Sequence, residues 1–298
     1  MFHTRTADTS PQELARQMVG REVSLRSEAA ALGLLPVQRS GEAEPAAVAP
    51  DVEPVLRLRD VVVEVAGLRL LDGLSLDVAP GEIVALYGVE GNGQATLGEV
   101  LSGLVEISSG SVEVGGSAID LARPGALHNA GLGVIPEDRH RSGVVLDMSV
   151  AENLALKDLG EVSGRFLMRR KELLARARRL ADEFNIVTSS LNAPVRSLSG
   201  GNQQRLVLAR ELSREPRALV AAQPTHGLDV GAIEDMYTRL RKVAADGVGV
   251  LLVSTELEEV MALAARIAVI SSGRIVGVLP IAEATADRLG MLVGGEAA

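Results

Sequence analysis

The sequence predicts an α/β fold: a largely parallel sheet with helices on both faces, preceded by an antiparallel pair of strands. Three observations predict it. In the last third of the chain, the apolar runs "RALVAAQP" and "VGVLLVS" alternate with the helix-periodic stretches "GAIEDMYTRLRKVAADG" and "LEEVMALA". Strands alternating with helices build βαβ units. A second apolar run, "EIVALYG", leads through a glycine-rich turn into "QATLGEVLSGL", which has helical spacing. Ahead of it, "VLRLRDVVVEV" and "LRLLDGLSLDV" alternate apolar and polar residues, the period of half-buried strands.

Taken in order, residues 1–54 differ in composition from the rest. Ser10 as N-cap and Pro11 in the first turn allow a short amphipathic helix in "SPQELARQMVGREV"; a disordered tail is the alternative over residues 1–30. "QRSGEAEPAAVAPDVEP" reads as a linker. The folded unit is expected over residues 55–285, with "GSVEVGG" as a hairpin-like strand. The stretch 121–200 is expected to be mostly helical. In "RRKELLARARRLADEF", Leu173, Leu174, Ala177, Leu180, Ala181 and Phe184 recur at helical spacing. The arginines between them read as a solvated face, or else as a docking surface. "NQQRLVLARELS" is a further helix, and "ARIAVIS" and "RIVGVLP" are the last strands. Residues 286–298 read as a C-terminal tail.

The 298 residues are 47% hydrophobic and 23% charged, enough for a core of full size. There is no cysteine, which excludes disulfides and thiolate metal sites. A net charge of −9 argues against nucleic acid as a partner. No apolar run reaches the roughly 18 residues that span a bilayer, so a soluble chain is expected, able to dock on a membrane protein. Only three lysines occur, Lys157, Lys171 and Lys242, and none is near the glycine-rich turn.

That turn, "GVEGNGQAT", has the frame of a phosphate-binding loop. Gly88 and Gly93 hold the two glycine positions and Gly91 adds a third. Backbone N–H groups and the positive end of the following helix attract anions without help from side chains. Yet Gln94 and Ala95 stand where lysine and serine or threonine are required. Gln94 carries no charge, Ala95 cannot ligate Mg²⁺, and Thr96 sits one residue further on. On this segment alone, a nucleotide site and a structural turn both remain open.

A second constellation follows. "LSGGNQQ" opens a helix with Ser199, Gly200 and Gly201 at its start, another anion-binding geometry. "LVAAQPTHGLDVGA" comes about twenty residues later. In this order the chain resembles the ATP-binding cassette family, the nucleotide-binding domains of ABC transporters, over about residues 55–282. "LSGGNQQRLVLARELS", "AAQPTHGLDVGA" and "GVIPEDRHRSGVV" resemble the second, degenerate cassette of double-cassette ATPases that serve nucleoside or simple-sugar importers. The initial "TADTSPQELARQMVGREV" resembles the tail and linker that precede such a cassette. The resemblance implies an ABC-type P-loop NTPase fold with an antiparallel β subdomain and a helical subdomain at about 121–200.

It also implies roles. Ala222 and Gln223 replace the aspartate and glutamate that end the family's catalytic strand. Thr255 replaces the switch histidine, and Glu137 replaces the Q-loop glutamine. Val63 and Val65 stand where an aromatic residue often stacks on adenine. None of the four histidines, His3, His128, His140 and His226, fills the switch position. Ser199, Gly200, Gly201 and Asp229 of the D-loop read normally. The implied picture is weak ATP binding at the chain's own loop, with Mg²⁺ only at the site of a partner cassette bound head to tail. Membrane permease subunits, and indirectly a substrate-binding protein, are the other implied partners, at the cytoplasmic face of the membrane. A split gene product without independent activity and a soluble, non-transport ATPase of the same type are the alternatives.

Overall fold

The structure, a computed structural model, describes residues 52–164 and 167–294. The helix expected at Ser10 and nearly all of the linker lie outside them. Strands β1 (Leu56–Val65), β2 (Leu68–Val78), β4 (Ser109–Val114) and β5 (Ser117–Ala118) form an antiparallel sheet in the order β2-β1-β4-β5. Strands β3 (Ile83–Tyr87), β6 (Leu132–Ile135), β7 (Ala218–Ala222), β8 (Gly249–Ser254), β9 (Arg266–Ser271) and β10 (Arg274–Pro280) form the second, in the order β10-β9-β3-β8-β7-β6. Its pairs are parallel except for β10, which runs antiparallel to β9 at one edge.

Side chains of β3, β7 and β8 alternate between two cores, because a strand sends successive residues to opposite faces. Ile83, Ala85, Leu219, Ala221, Val250 and Leu252 enter one core. Val84, Leu86, Val220, Ala222, Leu251 and Val253 enter the other. The second core also takes Leu97, Val100 and Leu101 of α1 (Gln94–Leu101) and the inner residues of the antiparallel sheet, such as Leu58 and Leu74. Each fully buried Leu or Val side chain contributes about 1.5–3 kcal/mol. The glycine-loop helix therefore shares its face of the large sheet with the antiparallel strands.

After α2 (Ala126–Asn129) and β6 come α3 (Val150–Ala155), α4 (Leu159–Val162) and α5 (Arg170–Glu183), then α6 (Gly200–Leu212), α7 (Val230–Ala245), α8 (Leu257–Leu263) and α9 (Ala286–Val293). A capping box starts α3: Ser149 Oγ receives the Glu152 amide, and the Glu152 carboxylate accepts from the Ser149 amide at 2.8 Å. On α5, Leu173, Ala177, Leu180 and Ala181 are buried at helical spacing. Arg178 and Arg179 lie exposed, as a solvated face requires. Arg176 instead turns to the buried carboxylate of Asp158, which also meets Arg214 at 3.1 Å.

The structure corrects the reading in two places. The stretch 121–200 contains β6, which pairs with β7 at the far edge of the parallel sheet. The stretch 286–298, expected as a tail, contains α9, whose Leu289 and Leu292 are buried against β9 and β10.

Candidate functional site

The loop 88–96 joins the C-terminal end of β3 to α1, and each glycine in it has a physical reason. Gly91 and Gly93 have φ of 90° and 112°, which L side chains rarely adopt. A Cβ on Gly88 would lie 2.4 Å from the carbonyl oxygen of Ile270. Asn92 pins the loop to the turn after β9: its Oδ1 accepts from the Ser272 amide at 2.8 Å and its carbonyl from the Gly273 amide at 2.9 Å. Gln94 is buried, and its Nε2 donates to the Val89 carbonyl at 3.1 Å. Ala95 is exposed and Thr96 half-buried.

Ala222 is buried at the end of β7, with its Cβ 3.8 Å from the Cβ position of Gly98 on α1. The next residue, Gln223, has a φ of 46°. Its amide N–H donates to Val253 at 2.8 Å, and its Nε2 donates to Thr255 Oγ1 at 3.0 Å. The fold thus brings Gln223 and Thr255 together at the ends of adjacent strands. Neither an amide nor a hydroxyl takes a proton at neutral pH, so this pair supplies no general base.

A carboxyl that no sequence pattern marks lies close by. Glu259 of α8 is 1% exposed and accepts from Thr225 Oγ1 at 2.9 Å, while its Oε2 is buried without a partner. Burial pushes the Glu259 carboxyl above the ordinary carboxylate range, against its hydrogen bonds with Ser254 and Thr225, and Glu256 pushes it the same way.

The start of α6 is a separate place. Ser199 is extended, at φ −64° and ψ 158°; its Oγ caps the helix by accepting from the Asn202 backbone amide at 3.5 Å, and it also accepts from the Asn202 side-chain Nδ2 at 3.0 Å. A Cβ on Gly201 would meet Ala232 Cβ at 3.2 Å, so the start of α6 lies against the start of α7. Asp229 caps α7, accepting from the Ala232 amide at 2.9 Å. Ser199, Gly200, Gly201 and Asp229 therefore gather at one edge. Among the described residues, no hydrogen bond or ion pair links them to the loop 88–96.

Within "GVIPEDRHRSGVV", no spacing marks Arg139 apart from its neighbours. It lies in a π-helical turn, Arg139–Gly143, capped by Asp138, whose carboxyl is held below the usual range by the backbone N–H groups of Arg141 and His140. The Arg139 Nη1 donates to the His226 carbonyl at 3.0 Å, and Nη2 lies 3.2 Å from the Cβ position of Gly200. His140 Nε2 meets Gln203 Oε1 at 2.9 Å, and Arg210 donates to the Gly143 carbonyl at 2.7 Å. The turn is thereby fastened to α6 and to the loop before Asp229. His226 is an exposed loop residue, as its position in the sequence implied. Val63 faces the core at 1% exposed, so of the two valines only Val65, 53% exposed, is open to a ligand.

Two implied groups can be weighed against these side chains. The glycine loop has the backbone of a phosphate cradle, but Gln94 offers it no charge. A Mg²⁺ ion needs hard oxygen ligands, and Ala95 and Ala222 supply none. The residues at this loop do not fit the metal.

The fold is that of an ABC ATPase cassette. A nucleotide-free ATP-binding cassette from an ABC transporter aligns with a TM-score of 0.66 at 22% identity, covering 76% of this chain and 91% of that one. A dimeric post-hydrolysis cassette bound to ADP and Pi aligns at 0.65, also at 22% identity, covering 76% and 98%. The ABC transporter family matches residues 71–226, and the chain belongs to that family. It is 40% identical over 290 residues to the guanosine import ATP-binding protein NupO of Bacillus subtilis (strain 168), covering 97% of this chain and 54% of that protein. It is 40% identical over 291 residues to the nucleoside import ATP-binding protein NupA of Lactococcus lactis subsp. cremoris (strain MG1363), covering 97% and 54%. Against the glucose import ATP-binding protein TsgD13 of Haloferax volcanii, identity is 40% over 299 residues, covering 98% and 51%. The chain thus spans about half the length of these relatives.

Proposed function

We propose that this chain is an ATP-binding subunit or half-subunit of an importer for nucleosides or simple sugars. Its own ATP site is degenerate. Its signature, Ser199, Gly200 and Gly201 with Asp229, completes the site of a partner cassette in a head-to-tail pair. The observation that carries this reading is the hydrogen bond from Gln223 to Thr255, an amide joined to a hydroxyl where hydrolysis requires a proton acceptor. The capped, glycine-rich start of α6 supports the other half of it. The names of the relatives, importers of guanosine, nucleosides and glucose, support the transport class.

Mg²⁺ belongs to the partner's site in this reading. Permease subunits dock on the helical part and the segment "PEDR", Pro136 to Arg139. A cavity of about 360 Å³ beside that segment, lined in part by Leu104, Arg123, Pro136 and Lys157, supports this placement. A substrate-binding protein acts on the permease and so only indirectly on this chain. The place of work is the cytoplasmic face of the membrane. Among the described residues no helix is long and apolar enough to cross a bilayer.

The test is steady-state turnover by the purified chain alone, then with a lysine-bearing partner cassette. The expected result is negligible hydrolysis alone and activity in the pair. A steady rate from the lone chain that survives Gln223→Ala contradicts the proposal.

A further inference from the structure

We propose that Gln94 closes its own phosphate cradle: the side-chain amide straps the loop from within and must swing out before an anion enters. This rests on the reading of the loop as a degenerate nucleotide site, but it assigns a different cause to the weakness. A missing lysine leaves a cradle open and uncharged. A strap leaves it shut.

Three observations carry the strap. Gln94 is only 5% exposed, although it stands at the rim of a loop that should be open to a ligand. Its side chain runs back from the first residue of α1 to the other end of the loop. There Nε2 donates to the Val89 carbonyl at 3.1 Å and lies 2.9 Å from the Cβ position of Gly88. The loop is satisfied by its own donors, since Asn92 also reaches that carbonyl, from Nδ2 at 3.1 Å and from its amide at 3.3 Å.

The third observation is Gln94 Oε1, which is buried without a hydrogen-bond partner. Buried acceptors are nearly always paired. A phosphate oxygen is also an acceptor, so the inward amide and an arriving phosphate exclude each other. Rotation outward breaks the bond to Val89, frees Nε2 as a donor and returns Oε1 to water.

The two causes separate by substitution. Gln94→Ala removes the strap and adds no charge. Gln94→Lys removes the strap and restores the charge. Inorganic pyrophosphate and a fluorescent ATP analogue are titrated into the native chain and both variants, without Mg²⁺. Removing a buried hydrogen bond that competes with the ligand is expected to tighten binding by Gln94→Ala about tenfold. Binding by Gln94→Ala that is no tighter than native overturns the strap, whatever Gln94→Lys does.

A second readout needs no variant. Hydrogen exchange of the Gln94 side-chain amide in the native chain is expected to be slow, and to become fast on adding pyrophosphate. Fast exchange in the free chain also overturns the strap. Brisk Mg²⁺-dependent turnover by the native chain would instead sink the degenerate-site reading, while slow exchange at Gln94 would still stand.

Discussion

Thr225→Val tests how the loop after β7 is held beside the ends of β7 and β8. Valine keeps the shape of threonine and removes one hydroxyl. That hydroxyl donates to Glu259 Oε1 at 2.9 Å, inside a core where Glu259 is 1% exposed and Ser254 is 0% exposed. Glu259 Oε2 already lacks a hydrogen-bond partner. Removing the Thr225 donor therefore deprives a buried carboxyl that is already short of partners, at a cost of about 1–3 kcal/mol. For a domain of this size, about 2 kcal/mol lowers Tm by roughly 4–8 °C.

The sign of the pH dependence follows from the same contact. Burial raises the Glu259 carboxyl above its ordinary range, so the folded state holds this proton more tightly than the unfolded chain does. Below the ordinary carboxylate range the group leaves stability unchanged. Stability falls as pH rises from that range through the raised folded value. Glu256 and Tyr237 are titratable groups that interact with Glu259, and Tyr237 in turn faces Glu258 and Arg241. Glu259→Gln keeps the shape without the charge, so it is expected to unfold at a higher temperature than native at about pH 8 and to lose this part of the pH slope. Circular dichroism melts at about pH 5 and about pH 8 read both effects. An unchanged Tm in Thr225→Val, or a pH slope that persists in Glu259→Gln, refutes the reasoning.

Gly88→Ala places a methyl 2.4 Å from the Ile270 carbonyl, a backbone contact that cannot shift cheaply; a loss of roughly 2 kcal/mol or more in urea unfolding is expected. Leu289→Ala empties a fully buried position on α9, and the same measurement is expected to show a loss of about 2–5 kcal/mol. ATP binding by the lone chain, followed by calorimetry, is expected to be weak and indifferent to Mg²⁺, because Ala95 and Ala222 offer no ligand; strong dependence on Mg²⁺ contradicts it.

Much of the architecture was legible in the sequence because its elements are long and periodic. The strand pair at 56–78 and helix α5 repeat their patterns over enough residues to be read. What escaped was short or distant. β6 has four residues, "LGVI", and is a strand because β7 pairs with it. α9 shows only Leu289 and Leu292 as buried residues, three apart, too little to mark a helix in advance. The glycine frame at 88–93 and the serine at 199 were visible because backbone geometry demands those residues at fixed spacing. Arg139 reaches a carbonyl 87 positions away, and Thr225 reaches a carboxyl 34 positions away. Only the fold brings such pairs together. Alternation along β1 cannot separate Val63 from Val65, which share a strand face; only the packing of the fold leaves Val65, at the strand end, outside the core.

The central claim is that this chain lends Ser199 to a nucleotide held by another cassette. The most direct measurement places Ser199→Arg in this chain, assembles it with an unaltered lysine-bearing partner, and follows ATP hydrolysis. The account predicts that turnover stops although the partner's own residues are untouched. An unaffected rate contradicts it.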